Sequence, residues 1–307
     1  MIRKWQADIE INEAQVRKCL EVQFPALLLR KVCFLGEGWD NRVFLVNQSI
    51  IFRFPRRRVA GELINRENHI LKQLAHFFSL QIPTPLFEGK PTQDYPYSFQ
   101  GYPCIKGASV GEATLTEKAL LNSLKPLALF LKQLHFFDEN QALMMGAKSQ
   151  LFDKTEKGRI IALLRDRAEQ LILLGYPIDK KQIQAEIDGI RSIRLSDVRC
   201  LVHGDLYFKH LIFHQERLKG IIDWGDVGIN HPVVDLAIIW GLYPKKYHAH
   251  FFDIYRPVDS NIWQYARFLA IYMAITLILY GLDINEKQLV SEASASIQRI
   301  NYKLIKN

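Results

Sequence analysis

The sequence predicts an α+β chain folded as two lobes, a small antiparallel β-sheet with a helix followed by a larger, mainly helical body. Three observations predict it. At 307 residues the chain exceeds the ~100 to 200 of a usual domain, and its 49% hydrophobic content can fill a sizeable core. Short β-rich runs crowd the first hundred residues, whereas apolar residues at helical spacing dominate from residue 116 on. Between those later helices lies a single hairpin-like pattern, at 211–222.

The first lobe opens with a helix over 12–24, where Asn12 is a good N-cap and Ala14, Val16, Cys19, Leu20 and Phe24 recur at near-helical spacing. Strands follow at 32–35, 43–46 and 50–54. Between the first two lies Gly36-Glu37-Gly38-Trp39-Asp40-Asn41, which serves either as a plain hairpin turn or as a loop whose Gly36 and Gly38 let backbone N–H groups approach a phosphate. The third strand, I-F-R-F-P, offers Arg53, and the helical stretch after it offers Glu67 ahead of Ile70, Leu71 and Leu74. Arginine can fork onto a phosphate and a carboxylate together. The competing reading makes Arg53 part of a surface basic patch with Arg56, Arg57 and Arg58. Ile82-Pro83-Thr84-Pro85 ends the helical pattern, because proline lacks the N–H and biases the preceding residue towards extended backbone. Strands near 86–88 and 97–101 lead into Tyr102-Pro103-Cys104-Ile105-Lys106-Gly107, the expected link between lobes 1–105 and 106–307.

In the second lobe Leu120, Leu124, Leu127, Leu131 and Leu134 predict a core helix over 116–137, with Thr114 or Thr116 as N-cap and His135 in a structural role. Residues 138–154 read as irregular. Helices are expected over 155–175 and 179–194, broken by Gly175-Tyr176-Pro177, and then over 233–242, 261–281 and 285–304. The aromatic segment 243–257 reads as a packed loop or as part of a ligand cleft. The apolar run 268–282 falls short of the ~18 residues of a membrane span and predicts a buried helix.

Four widely spaced cysteines without a CxxC suggest neither a disulfide framework nor a cysteine zinc site. With an N-terminus lacking the apolar segment of a signal peptide, a cytoplasmic location is expected, with no membrane partner. The net charge of +8 and pI near 9.2 admit anionic partners, but no nucleic-acid motif accompanies the basic clusters, so none is expected to be nucleic acid. The same charge counts mildly against a strongly cationic ligand.

The chemistry concentrates in residues 201–236, LVHGDLYFKHLIFHQERLKGIIDWGDVGINHPVVDL. Apolar runs at 211–213 and 220–222 flank His214-Gln215-Glu216-Arg217 as a hairpin would. Asp205 precedes the first strand, His210 sits at its entry and Asp223 ends the second, so pairing the strands brings His210 and Asp223 together as a candidate cation site. Asp205 precedes His210 by five residues, the separation between catalytic Asp and metal-binding residue in the kinase loop H-R-D-x-x-x-x-N.

The ordered set H-G-D-L-x-x-x-H, I-D-W-G-D-x-G and V-D-L-A resembles the aminoglycoside and macrolide phosphotransferase family, whose fold is protein-kinase-like. The resemblance implies a phosphotransferase with an alcohol group as acceptor, using ATP or GTP with Mg2+ (Mn2+ also able to serve) on a hydroxylated antibiotic-like or metabolite molecule. Asp205 would orient the acceptor hydroxyl and take its proton. Asp223 would bind the metal, with His210 as second ligand or water-bridged neighbour. Arg53, held by Glu67, would contact the phosphates, and the main chain at Pro103 and Ile105 the base. Asp235 would brace the catalytic loop, with His203 supporting it. Most of the family carries Asn at the position of His210, where macrolide kinases look like this chain, and Gly-Asp where this chain has Asn230-His231. Asp226 reads as a surface turn or a functional group. Insertions around 155–194 form much of the acceptor pocket in the family. Two other readings stand beside this one: a zinc site built from Cys200, His203, His210 and His214, and a non-catalytic kinase-like module that binds nucleotide or anion.

Overall fold

A computed structural model describes residues 7–38, 40–110, 115–149 and 154–300. Helix α1 (Glu13–Gln23) begins at Asn12, whose side chain accepts the Gln15 N–H while the Gln15 side chain accepts from the Asn12 N–H. That reciprocal cap satisfies two helix-end donors. The strands β1 (Val32–Glu37), β2 (Asn41–Val46), β3 (Ile50–Pro55), β4 (Phe87–Gly89) and β5 (Phe99–Pro103) form one antiparallel sheet in the order β1-β2-β3-β5-β4. One face is aromatic: Phe44, Phe52, Phe54, Tyr95 and Phe99 are buried with Val16 and Leu20 of α1, and the rings of Phe54 and Phe99 stack at 4.3 Å. Arg53 lies between Phe52 and Phe54, so the two-residue period of the strand sends it to the opposite face.

Helix α2 (Arg58–Leu74) crosses from the small lobe to the large one, because Ile70, Leu71 and Leu74 belong to the core of the large lobe. That core is built mainly on α3 (Glu117–His135), α5 (Lys154–Leu173), α6 (Lys180–Arg191), α7 (Val233–Leu242), α9 (Ser260–Asp283) and α10 (Lys287–Arg299). Thr116 caps α3 by accepting the Ala119 N–H; Thr114 lies outside the described residues. The expected helix end at 304 also lies outside them.

Three expectations are corrected. Residues 138–154 are not wholly irregular: Asp138 caps a short helix α4 (Glu139–Met144) by accepting the Gln141 N–H, and β7 (Lys148–Ser149) follows. Six residues are too few to display a helical period. Segment 243–257 contains α8 (His248–Ile254), and Tyr243, Phe251 and Tyr255 are fully buried, so its aromatics pack as core. Helix α9 reaches 24 residues and is long and apolar enough, by length and composition alone, to cross a membrane. It packs on α5, α7 and α10, with most of its apolar window buried.

Two three-stranded sheets carry the candidate site residues. One, β10-β9-β6, joins the hairpin of β9 (Leu211–His214) and β10 (Arg217–Ile221) to β6 (Ala108–Ser109) just past the link between lobes. The hairpin turn is two residues, shorter than the sequence suggested, because Gln215 and Glu216 take left-handed φ of 49° and 58° without glycine. The other sheet sets β11 (Gly228–Asn230) between β7 and β8 (Cys200–Val202).

Candidate active site

Strand β8 delivers His203, Gly204 and Asp205 to a loop held from below. Gly204 has φ +89°, and a Cβ there would lie 2.4 Å from the Asp226 carbonyl oxygen, so only glycine fits. Asp235, wholly buried in the first turn of α7, accepts the N–H groups of His203 (2.8 Å) and Gly204 (3.0 Å). His135 Nε2 is 3.2 Å from Asp235 Oδ2, and the other ring nitrogen is 2.7 Å from the Tyr255 hydroxyl. Burial would raise the Asp235 pKa, but the His135 hydrogen bond leads a set of contacts that lowers it, so the group stays ionised. Burial holds His203 down at about 4, hence neutral: its Nε2–H donates to the Ile222 carbonyl (3.0 Å), leaving Nδ1 to accept the Asp205 N–H (3.4 Å). Asp235→Ala strands two buried backbone donors at about 1–3 kcal/mol each, so chemical denaturation is expected to show a loss of that order together with lower turnover.

From Asp205 a chain of polar contacts crosses between the lobes. His210 Nδ1 lies 2.6 Å from the Asp205 carbonyl oxygen, and its Nε2 lies 3.3 Å from Asp223 Oδ2. Asp223 Oδ1 accepts from Arg53 Nη2 (3.2 Å). Arg53 Nη1 donates to Glu67 Oε1 at 2.5 Å, and Gln100 Nε2 donates to the same oxygen at 3.2 Å. The side chains of Arg53 and Glu67 are only 7% and 3% exposed, whereas Asp223 is 48% exposed and faces outward. Asp223 adopts φ +66°, a left-handed backbone that costs free energy for an aspartate and is held here by its surroundings.

The electrostatics separate the two aspartates. Burial pushes Asp205 up to about 6, with Asp223 and Asp226 adding to the rise against His210. Loss of water on its protein-facing side also works to raise the half-exposed Asp223, but the His210 hydrogen bond and the charges of His210 and Arg53 outweigh it and hold the carboxyl well below its usual range. His210 shows the reciprocal effect: burial would lower it, and the contacts with Asp223 and Asp205 raise it. One carboxylate is therefore poised to exchange a proton near neutrality, while the other stays anionic.

The remaining sequence candidates lie elsewhere. Strand β1 runs through Glu37, so Gly36 belongs to a strand at a register shift. The Gly38 N–H is engaged with the Asn41 carbonyl at 2.9 Å, a hairpin bond that does not leave this donor free for a phosphate. Trp39 lies outside the described residues. Pro103 ends β5, Cys104 N–H donates to the Ser49 carbonyl, and Ile105 is buried at the seam beside Gly220. The four zinc candidates do not assemble: Cys200 is buried with its sulfur 3.6 Å from the Asn230 carbonyl, and His214 ends the hairpin strand. Among the described residues no group of three or more His, Cys, Asp or Glu side chains is gathered to hold a metal.

One group escaped the sequence reading, and one that it left open between a surface turn and a functional role is located. Gln100 is the strand partner of Arg53 across β3 and β5, and only that register reveals its bond to Glu67. Asp226 edges a cavity of about 480 Å³ beside the loop, bounded by Gly204 and Leu206 on either side of Asp205 and by α5, α7 and α9.

A family model described as the phosphotransferase enzyme family matches residues 31–269, most of the chain. The chain belongs to this family. Viomycin phosphotransferase of Streptomyces vinaceus is 24% identical over 233 residues, 68% of this phosphotransferase and 73% of that protein. The GDP complex of aminoglycoside 2'-phosphotransferase-IIIa superposes with a TM-score of 0.72 at 23% identity, over 95% of this chain and 99% of that one. Macrolide 2'-phosphotransferase MphH from Brachybacterium faecium gives 0.62 at 16% identity, over 92% and 97%. At these identities the solved structures establish the two-lobed fold that this phosphotransferase shares with them.

Proposed function

We propose that this phosphotransferase moves the γ-phosphate of ATP or GTP onto a hydroxyl of a small molecule held beside Asp205. The observation that carries the reading is the contact chain from the backbone carbonyl of Asp205 through His210, Asp223 and Arg53 to Glu67, which brings the loop bearing one carboxylate beside a second, anionic carboxylate and a buried guanidinium. Relatives solved with GDP and with streptomycin and ATP support nucleotide and hydroxylated small molecule as the two substrates. Family membership favours this over a non-catalytic binding module. Residues 1–105 would hold the nucleotide, with Pro103 and Ile105 offering main-chain contacts to the base, and 106–307 would hold the acceptor. The four free cysteines suit a reduced, cytoplasmic compartment.

Asp205 would orient the hydroxyl and take its proton, since a carboxylate near pKa 6 is mostly ionised at neutral pH yet basic enough to accept. Arg53 would lay its guanidinium against the phosphates, pre-oriented by Glu67. A divalent cation fits Asp223 as a hard oxygen ligand, while His210 Nε2 is a softer donor better matched to Mn2+ than to Mg2+. The 3.3 Å between the two atoms is near the ~3 Å between adjacent ligands implied by 2.0–2.1 Å octahedral bonds. When bound, the cation would neutralise phosphate charge.

A coupled assay of ADP and GDP release, run with ATP and GTP against a library of hydroxylated compounds, tests the reading. Acceptor-stimulated release is expected; bound nucleotide without any turnover across the library would leave only a binding module. The pH dependence has a fixed sign. Asp205 works deprotonated, so kcat/KM is expected to be flat above about pH 7 and to fall tenfold per unit well below the free enzyme's Asp205 pKa of about 6.

A further inference from the structure

We propose that the acceptor has a compact apolar body with at most one positive charge, seated in the cavity between α5, α7 and α9, and is not a polycation. This deepens the phosphotransfer reading and rests on it. The cavity borders the loop that carries Asp205, since Gly204 and Leu206, its neighbours in the chain, line the wall. A molecule filling it would present the end nearest the loop to Asp205.

The lining determines what that molecule can be. Helix α7 turns Val234, Ala237, Ile238 and Gly241 towards the cavity, the i, i+3, i+4, i+7 face of one helix. From α9, Leu269 and Met273 complete an apolar wall opposite. Two of these positions are small, alanine and glycine, which opens room for a rigid body against the helix backbone. About 480 Å³ falls in the range that encloses a drug-sized ligand.

Charge argues the same way. Among the described lining residues only Glu156 and Asp226 are acidic, and Glu156 is already bound to Arg159, a second lining residue, through two hydrogen bonds. With all three ionised the wall carries one net negative charge, that of Asp226. Several ammonium groups would enter with Asp226 on the wall and Asp205 on the adjoining loop to meet them, and each further charge left unpaired and buried strongly opposes binding. The chain's net charge of +8 adds a long-range field that repels a polycation.

The test uses the full chain and a library in which hydroxylated compounds range from uncharged alcohols such as chloramphenicol to polyamines such as kanamycin. The acceptor with the highest kcat/KM is expected to carry no ammonium group or one. A best acceptor with two or more overturns the inference and leaves the phosphotransfer reading intact. Absence of turnover with every compound overturns the phosphotransfer reading itself. Two variants then locate the acceptor. Met273→Glu is expected to raise KM for the best apolar acceptor by about tenfold or more, through the cost of burying a carboxylate against apolar surface, with nucleotide Kd unchanged. Ala237→Phe, which fills the cavity instead of charging it, is expected to do the same. Unchanged KM in both folded variants places the acceptor elsewhere and overturns the assignment.

Discussion

Replacing Asp205 by Asn is expected to lower kcat by about 10²- to 10⁴-fold, the contribution of a positioned general base, while nucleotide Kd stays as it is. The amide keeps the size and shape of the carboxylate and cannot accept the acceptor's proton. His210 is held by the backbone carbonyl of residue 205, not by its side chain, whose Oδ2 is 4.0 Å away, so the loop keeps its anchor in the variant. Asp223 and Arg53, which would meet cation and phosphates, are also left in place. Full activity in this variant, measured by acceptor-stimulated nucleotide release, would remove Asp205 from the proton transfer.

Arg53→Met is expected to destabilise the fold by about 3–5 kcal/mol, the cost of stranding one member of a buried ion pair, and to weaken nucleotide binding as well. Glu67 loses its main cationic partner while remaining buried, and the Gln100 amide alone does not neutralise it. Burial already raises the Glu67 pKa and Arg53 is the chief influence lowering it, so in the variant that pKa climbs further. The sign follows from linkage: the unfolded state, with the lower pKa, releases its proton first, so the deficit grows as pH rises above the ordinary glutamate range and vanishes below it. Urea unfolding at acid and alkaline pH reads this directly. The double replacement Arg53→Met with Glu67→Met is expected to recover much of the stability, because apolar groups of similar volume are tolerated where an ion pair was buried. It is not expected to recover nucleotide binding, which separates the structural from the functional share of the pair. A single replacement that leaves stability unchanged at neutral pH would contradict the buried pairing.

The two aspartates and His210 were legible in the sequence because they lie within 19 residues on one loop and hairpin, where pairing alone brings them together. Arg53 and Glu67 were legible from strand-to-helix order, with the surface-patch alternative removed by their burial. Less of the rest could be read. Gln100 depends on the β3–β5 register, which no local pattern encodes. The commitment of the Gly38 N–H depends on where one strand ends and the next begins, to within a residue. The cavity is assembled from three helices spread over residues 154–283, and each apolar lining residue looks like ordinary core until the helices are packed. Helical periodicity identifies an apolar face but is silent on whether that face meets a neighbour or an empty space.

Helix α2 has a thermodynamic consequence beyond catalysis. Its last turns, with Ile70, Leu71 and Leu74, are sunk in the large core, while Glu67 one turn earlier grips the strand that carries Arg53. Melting the small lobe by itself would require fraying this helix in its middle or dragging three buried aliphatic side chains into water. Either route removes support from the large lobe. The two lobes are therefore expected to unfold as one cooperative unit, with a single endotherm in a calorimetric scan where two separate bodies would show a pair.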